Sequence, residues 1–349
     1  MKAFLGRILF FAAGFSVAGV LAVAAAADRT AGEVNIYSYR QEVLIRPLLD
    51  AFTQKTGIKV NLVSGKADAL LERLKAEGAN SPADVLLTAD VGRLVRAKAA
   101  GVLQAVQSSE LEQAIPARYR DDEGFWYGLS VRARVPFYAV GRVDPAELST
   151  YEALADPKWR GRICVRSSSN VYNQSLLAAM IARHGPEKAE AWARGIVANM
   201  ARRPQGGDRD QIKAVAAGEC DIAIANTYYY GRMLAAEAGS AERKAAEAVK
   251  PFWPNQQAAG GVHVNISGAG VTVSARNKAQ AIALIEFLAG PEAQALYAGE
   301  VFEYPVRAGV AVSDLVAAWG PFKADDTPLS VFAKYQRDAV MIFDRAGWR

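Results

Sequence analysis

The sequence predicts an α/β protein of two lobes with a ligand cleft between them, and three observations carry that expectation. From Val34 onward, short β-rich runs alternate with segments of helical periodicity, the pattern of a parallel sheet covered by helices. Two extended passages, "FWYGLSVRARVPFYAV" and "VNISGAGVTVS", then flank a second α/β block. The chain is therefore expected to cross from one lobe to the other near Val131 and to return near Ile266, and paired crossovers of this kind serve as hinges. Finally, roughly 320 residues beyond the N-terminal apolar stretch exceed the size at which one hydrophobic core stops growing.

The elements follow in order. Lys2 and Arg7 precede and open onto the apolar run "ILFFAAGFSVAGVLAVAAAA", which ends in small residues before Asp28. This is the layout of a secretory signal peptide spanning Met1 to Ala27. The run approaches the length of a membrane-spanning helix, but its alanine-rich end favours cleavage and an exported chain. "EVNIYSY" reads as a strand and "VLIRPLLDAFTQKTG" as an amphipathic helix stopped by Gly57. "IKVNLVSG" is a second strand, "ADALLERLKAEG" a helix closed by glycine, "SPADVLLTAD" a third strand and "VGRLVRAKAAG" a third helix. After the first crossover the rhythm restarts with "GRICVRSS", a helix from Asn173 and "CDIAIANTY"; after the second comes the helix "KAQAIALIEFLAG". Residues 28–131 with 260–306 are expected to form the N-lobe, and 132–259 with 307–349 the C-lobe.

Composition excludes several function classes. Lys2 and Arg7 fall in the leader, so 41 basic residues against 36 acidic ones become 39 against 36, a balance too mild for nucleic acid, with the charges interspersed along amphipathic helices. Two cysteines in an exported chain, Cys164 and Cys220, each at the edge of a β-like segment, are expected to form a disulfide. A two-thiolate metal site would need further ligands, and neither His184 nor His263 stands at a zinc-like spacing from either cysteine. No G-x-S-x-G, H-E-x-x-H or P-loop occurs, "SGAG" at 267–270 lacks the spacing of a phosphate loop, and two histidines are a thin supply for acid–base work. Neither histidine is assigned a role.

Three features remain. In "IANTYYYGRM" Tyr228, Tyr229 and Tyr230 stand in a row, and consecutive strand residues point to opposite faces. Either the triplet closes a core, which tyrosine often does, or the chain leaves strand geometry here and aims two phenols into one cleft. Phenolate oxygen is a hard donor suited to a hard, highly charged cation. "SSSNVYNQSLLAAM" sets Ser167 to Asn170 at a helix N-terminus, with Tyr172 in the first turn. Arg40 ends the first strand in "YSYRQ", and Arg132 and Arg134 lie on one side of the crossover strand in "SVRARV". Such arginines can bind an anion bidentately, although a solvated face explains them equally well.

Taken in order, "VNIYSYRQ", "SPADVLLTAD", "GLSVRARV", "CVRSSSNVYNQSL", "PQGGDRDQIKAV", "NTYYYGRML", "NISGAGV" and "EYPVR" resemble the periplasmic ferric-iron-binding proteins of bacterial ABC importers, the transferrin-like FbpA/FutA group. The resemblance spans essentially the whole chain after the leader, and "VYNQS" with "NTYYYG" is its most specific part. It implies a two-lobed type II periplasmic binding protein with a hinge and interlobe cleft, acting as a monomer that hands Fe3+ to an inner-membrane ABC permease. It implies Tyr172, Tyr228 and Tyr229 as metal ligands, with Tyr230 turned away into structure. Arg40 and Arg132 are implied as partners of a synergistic anion such as carbonate, and Tyr39, Gln41 and Arg134 as weaker site candidates. Some members carry a histidine and a further residue after the first-strand motif, where this chain has Gln41 and Glu42. On residues alone two other readings stay open: the same fold binding a polyamine, phosphonate or thiamine, and an exported enzyme, for which no nucleophile–base pair is recognisable.

Overall fold

The architecture follows from the order in which strands and helices leave the chain. The structure, a computed structural model, describes residues 32–257 and 260–349; the Met1–Ala27 leader lies outside them. The first block runs β1 (Glu33–Ser38), α1 (Glu42–Thr56), β2 (Lys59–Ser64), α2 (Ala67–Glu77), β3 (Val85–Ala89), α3 (Val91–Ala99) and α4 (Ser109–Ala114). The long β4 (Tyr127–Ala139) leads into a second block of β5 (Ile163–Cys164), α5 (Val171–His184), α6 (Pro186–Asn199), α7 (Asp208–Ala216), β6 (Ile222–Asn226), α8 (Thr227–Leu234), α9 (Ala241–Glu247) and β7 (Val249–Pro251). The chain ends with β8 (Val264–Val271), α10 (Lys278–Ala289), α11 (Pro291–Leu296), α12 (Asp314–Ala317) and α13 (Leu329–Ala346).

The strands form one sheet in the order β2-β1-β3-β8-β4-β6-β5, with β7 beside β4. β1 pairs parallel to β2 and β3, and β5 parallel to β6, as the strand–helix alternation requires. β8 returns antiparallel between β3 and β4. β4 changes partner along its length: Tyr127–Ala133 run against β8, and Arg134–Tyr138 against β6. This register sets Arg132 opposite Asn265 and Arg134 opposite Asn226. The change of partner therefore occurs between the two arginines.

Every residue of β3, β6 and β8 is buried, which is why β3 and β6 read as nearly continuous apolar stretches and not as alternations. β8 packs against α10, which buries Ala281, Leu284, Ile285 and Leu288. Each such large apolar side chain contributes about 1.5–3 kcal/mol on burial. Gly57 closes α1 in the left-handed region at φ 72°, as a helix-stopping glycine should. The glycines of "SGAG" are strand interior: a Cβ on Gly268 or Gly270 would come within 2.5 Å of the Tyr127 or Phe125 carbonyl oxygen, respectively. They admit a close neighbouring backbone and do not form a phosphate loop. Cys164 at the end of β5 and Cys220 before β6 form the expected disulfide, with Cα atoms 5.9 Å apart.

Candidate metal centre

Two helix starts carry the phenols. The 166–170 turn leads into α5 through Asn170, whose side chain accepts from the Tyr172 amide at 3.0 Å, a helix N-cap that fixes the first turn. Asn173, one residue on, donates to the carbonyls of Arg166 and Ser167 at 2.9 and 3.1 Å. The turn is thus tied to the helix it begins, and Tyr172 emerges buried at 6% exposure.

The tyrosine triplet leaves the strand as soon as β6 ends. Asn226 is the N-cap residue of α8, and its amide donates to Asp208 Oδ2 at 2.8 Å. On a helix, successive side chains are about 100° apart, so Tyr228 and Tyr230 diverge by about 200°, and the ring contacts put Tyr229 with Tyr228. Their rings lie 4.1 Å centroid to centroid, and the Tyr228 hydroxyl is 3.5 Å from that of Tyr172. Tyr230 packs between Phe137 and Trp319 and donates to the Val249 carbonyl at 3.2 Å. Gly231 lets this helix approach the chain that follows α11, since a Cβ there would lie 2.6 Å from that of Phe302.

Burial raises the Tyr228 pKa well above the ordinary phenol value, and the neighbouring Tyr172 and Tyr229 raise it further. Burial, then Tyr172 and Asp208, push Tyr229 in the same direction. The raised values keep Tyr228 and Tyr229 neutral by themselves, and a bound cation would supply the field that ionises them.

The arginines divide into two kinds. Arg134 is saturated: it donates to Asn173 Oδ1 at 2.6 and 3.1 Å, to Asp208 Oδ2 at 2.9 Å, to Asn226 Oδ1 at 3.1 Å and to the Ile224 carbonyl at 3.2 Å. Its hydrogen-bonding capacity goes into joining β4, α5 and α7. Arg40 and Arg132, although just as buried, keep donors in hand. Both donate through Nη1 to Ser267 Oγ, Arg132 at 3.1 Å, and Arg40 also to Glu303 Oε1 at 2.8 Å. Arg40 Nε and Nη2 and Arg132 Nη2 have no partner among the described residues. Burial works against the Arg40 charge, but the Glu303 carboxylate, aided by Tyr297 and Tyr228, holds its pKa above the usual arginine value. The Arg132 guanidinium lies 5.1 Å from the centre of the Tyr172 ring.

Buried guanidinium nitrogens without acceptors call for an anion or solvent. They stand beside phenols that together can take a cation. Tyr39 is half-buried beneath the Arg93 guanidinium, 3.9 Å from ring centre. Gln41 is exposed at the start of α1 and makes no capping bond with its side chain.

Sequence reasoning missed three groups. Glu303 is fully buried and accepts from Arg40 and from Ser130 Oγ; it stands at the head of the quoted "EYPVR", but its partner is 263 residues away in sequence. Ser267 joins the two arginines from within the glycine-bearing strand. Arg166, part of "CVRSSSN", has its guanidinium 5.8 Å from the Tyr172 ring centre and 3.4 Å from Asp208. Burial opposes its charge, while Asp208 and the three phenols raise its pKa.

A two-winged α/β sheet with a crossover strand, and convergent polar groups at the crossover, defines a solute-binding protein. A family model described as bacterial extracellular solute-binding protein matches residues 80–324, and the chain belongs to that family, whose members bind solutes and are not enzymes. Among its relatives, iron uptake protein A1 of Synechocystis sp. is 51% identical over 317 residues, covering 91% of this chain and 88% of its own. Iron uptake protein A2 of the same organism is 44% identical over 351 residues, covering 99% of each. The chain is also similar to the solved structure of the Trichodesmium protein IdiA (FutA) in complex with iron and citrate ligands, with a TM-score of 0.86 and 51% identity over 91% of this chain and 100% of that one.

Proposed function

We propose that this chain is exported to the periplasm, captures ferric iron with Tyr172, Tyr228 and Tyr229 as phenolates, and delivers it as a monomer to an inner-membrane ABC permease. Arg40 and Arg132 hold a small synergistic anion, carbonate or a comparable oxyanion, that completes the metal shell. The observation that carries the reading is the juxtaposition of three phenols with two buried guanidiniums that each keep at least one nitrogen without a protein acceptor. Three phenolates balance the charge of Fe3+, and their hard oxygens suit it. Arginine beside a bare cation would repel it, whereas an anion between them satisfies both.

The relatives named for iron uptake, and the solved structure holding iron, support the cargo. That structure's citrate favours a second form of the same reading, in which the anion is an organic carboxylate carried with the metal. The lobes of residues 28–131 with 260–306 and of 132–259 with 307–349 close about β4 and β8 to enclose the ion.

The visible spectrum of protein purified without chelators tests this. Tyrosinate-to-iron charge transfer gives a red to orange colour. Each ligand must lose a proton to bind, and burial already raises the pKa of Tyr228 and Tyr229, so affinity falls as pH falls and acid bleaches the band. A protein that stays colourless with excess ferric iron at neutral pH overturns the assignment.

A further inference from the structure

Beside Tyr172 a second polar site is built into the fold. Asp90, Arg132, Tyr172, Asn226, His263 and Asn265 line a cavity of about 10 Å3 for a water-sized sphere, at the lower bound for holding one water molecule. Three of these residues present a buried polar atom with no partner among the described residues: Arg132 Nη2, Asn226 Nδ2 and His263 Nδ1. Each residue is at most 3% exposed. Orphaned buried polar groups are rare, and three around one small cavity point to a shared ligand.

The chemistry of the three atoms selects that ligand. Arg132 Nη2 can only donate, and its two N–H bonds allow one to enter this cavity while the other stays available to an anion. Asn226 Oδ1 is engaged by Arg134 Nη1 at 3.1 Å, which fixes its amide so that Nδ2 donates into the cavity. His263 Nδ1 is the third atom, and an imidazole nitrogen accepts when the ring carries its proton on Nε2. Two donors and one acceptor match the two lone pairs and two protons of a water molecule. The second proton meets the Asp90 carboxylate, whose Oδ2 already accepts from Ser175 at 2.7 Å and Asn265 at 2.9 Å. That same carboxylate disfavours a halide, which would otherwise suit the two donors.

We infer that one ordered water occupies this cavity and bridges Arg132, Asn226 and His263, with His263 as the tautomer protonated on Nε2. The water ties the N-cap residue of α8, the strand β4 and the residue that leads into β8 together beside Tyr172. It seats Arg132, whose other anchors are Ser267 and, at 4.0 Å, Asp90. The site stands on the geometry alone and does not depend on which solute the protein carries.

Crystals of the full exported chain, native and soaked in bromide, test it. One non-protein peak is expected within about 2.7–3.2 Å of all three atoms, with no anomalous bromine signal. An anomalous peak there would make the ligand a halide and overturn the inference, as would an empty cavity or a side-chain rearrangement that pairs the three atoms with protein. His263→Gln, which keeps an acceptor within reach, is expected to retain the peak, and His263→Leu to lose it; a peak unchanged in His263→Leu removes His263 from the site. Nitrogen chemical shifts of His263 in the wild-type protein check the tautomer, and a proton on Nδ1 overturns the bridging scheme without recourse to either variant.

Discussion

The phenol side and the guanidinium side of the site are built by opposite means. Tyr172, Tyr228 and Tyr229 are placed by local geometry, each in the first turn of a helix that follows a strand or turn directly. Arg40 and Arg132 are placed by contacts distant in sequence, to Ser267 and Glu303. Burial holds Tyr228 and Tyr229 neutral in the absence of a cation, and the guanidiniums are charged with donors to spare. A metal alone would suit one side and offend the other. A cation and an anion together satisfy both, which is why a site of this composition points to a ternary complex.

Removing a phenol should break the comparison most severely. Tyr228→Phe or Tyr229→Phe deletes a charged donor and should weaken ferric binding by more than the roughly 10–100-fold typical of losing a residue behind the ligands, with the charge-transfer band shifted or lost in titrations. If Tyr230→Phe lost iron while Tyr229→Phe kept it, the ligand assignment would be displaced by one residue.

The next largest effect separates the two arginines of the crossover strand. Arg134→Ala leaves the fully buried Asp208 carboxylate without its closest cation, at 2.9 Å, and should lower stability by about 3–5 kcal/mol in urea unfolding. Arg132→Ala removes a guanidinium that the protein holds by one hydrogen bond, to Ser267, with the Asp90 carboxylate 4.0 Å away. It should weaken the anion by about 10-fold, the worth of a charge-assisted hydrogen bond, and iron only through the anion, as read by ferric titrations with and without added carbonate. Equal effects of the two substitutions on stability would erase the distinction drawn between a saturated and an unsaturated guanidinium.

The smallest effect belongs to Tyr230→Phe. It loses one bond to the Val249 carbonyl, about 0.5–1.5 kcal/mol of stability, and ferric affinity should not change. Calorimetric unfolding alongside a ferric titration separates the two readouts.

The sequence by itself determined the α/β alternation, the two long extended passages, the cysteine pair and the placing of Asn170 and Tyr172 at a helix start, and for the tyrosine triplet it left open whether the chain stays in strand geometry or leaves it. Each of these rests on periodicities of two or 3.6 residues, on caps, or on counting, and such signals act within a few residues of the chain. The same local rules explain the triplet: the strand ends at Asn226, and the helical step of about 100° turns Tyr230 about 200° from Tyr228, toward the core.

Only the tertiary structure decided which arginines remain free. Arg132 and Arg134 share a strand face and are indistinguishable in "VRARV", yet β4 changes partner between them. Arg134 thereby meets Asn226, Asn173 and Asp208, and Arg132 meets Asn265 and Ser267 on the returning strand. Glu303, Ser267 and the polar cavity beside Tyr172 were likewise invisible, because their partners lie tens to hundreds of residues away. Hydrogen bonds of this kind depend on where a buried donor finds an acceptor after the sheet has closed, and a linear pattern does not encode that distance.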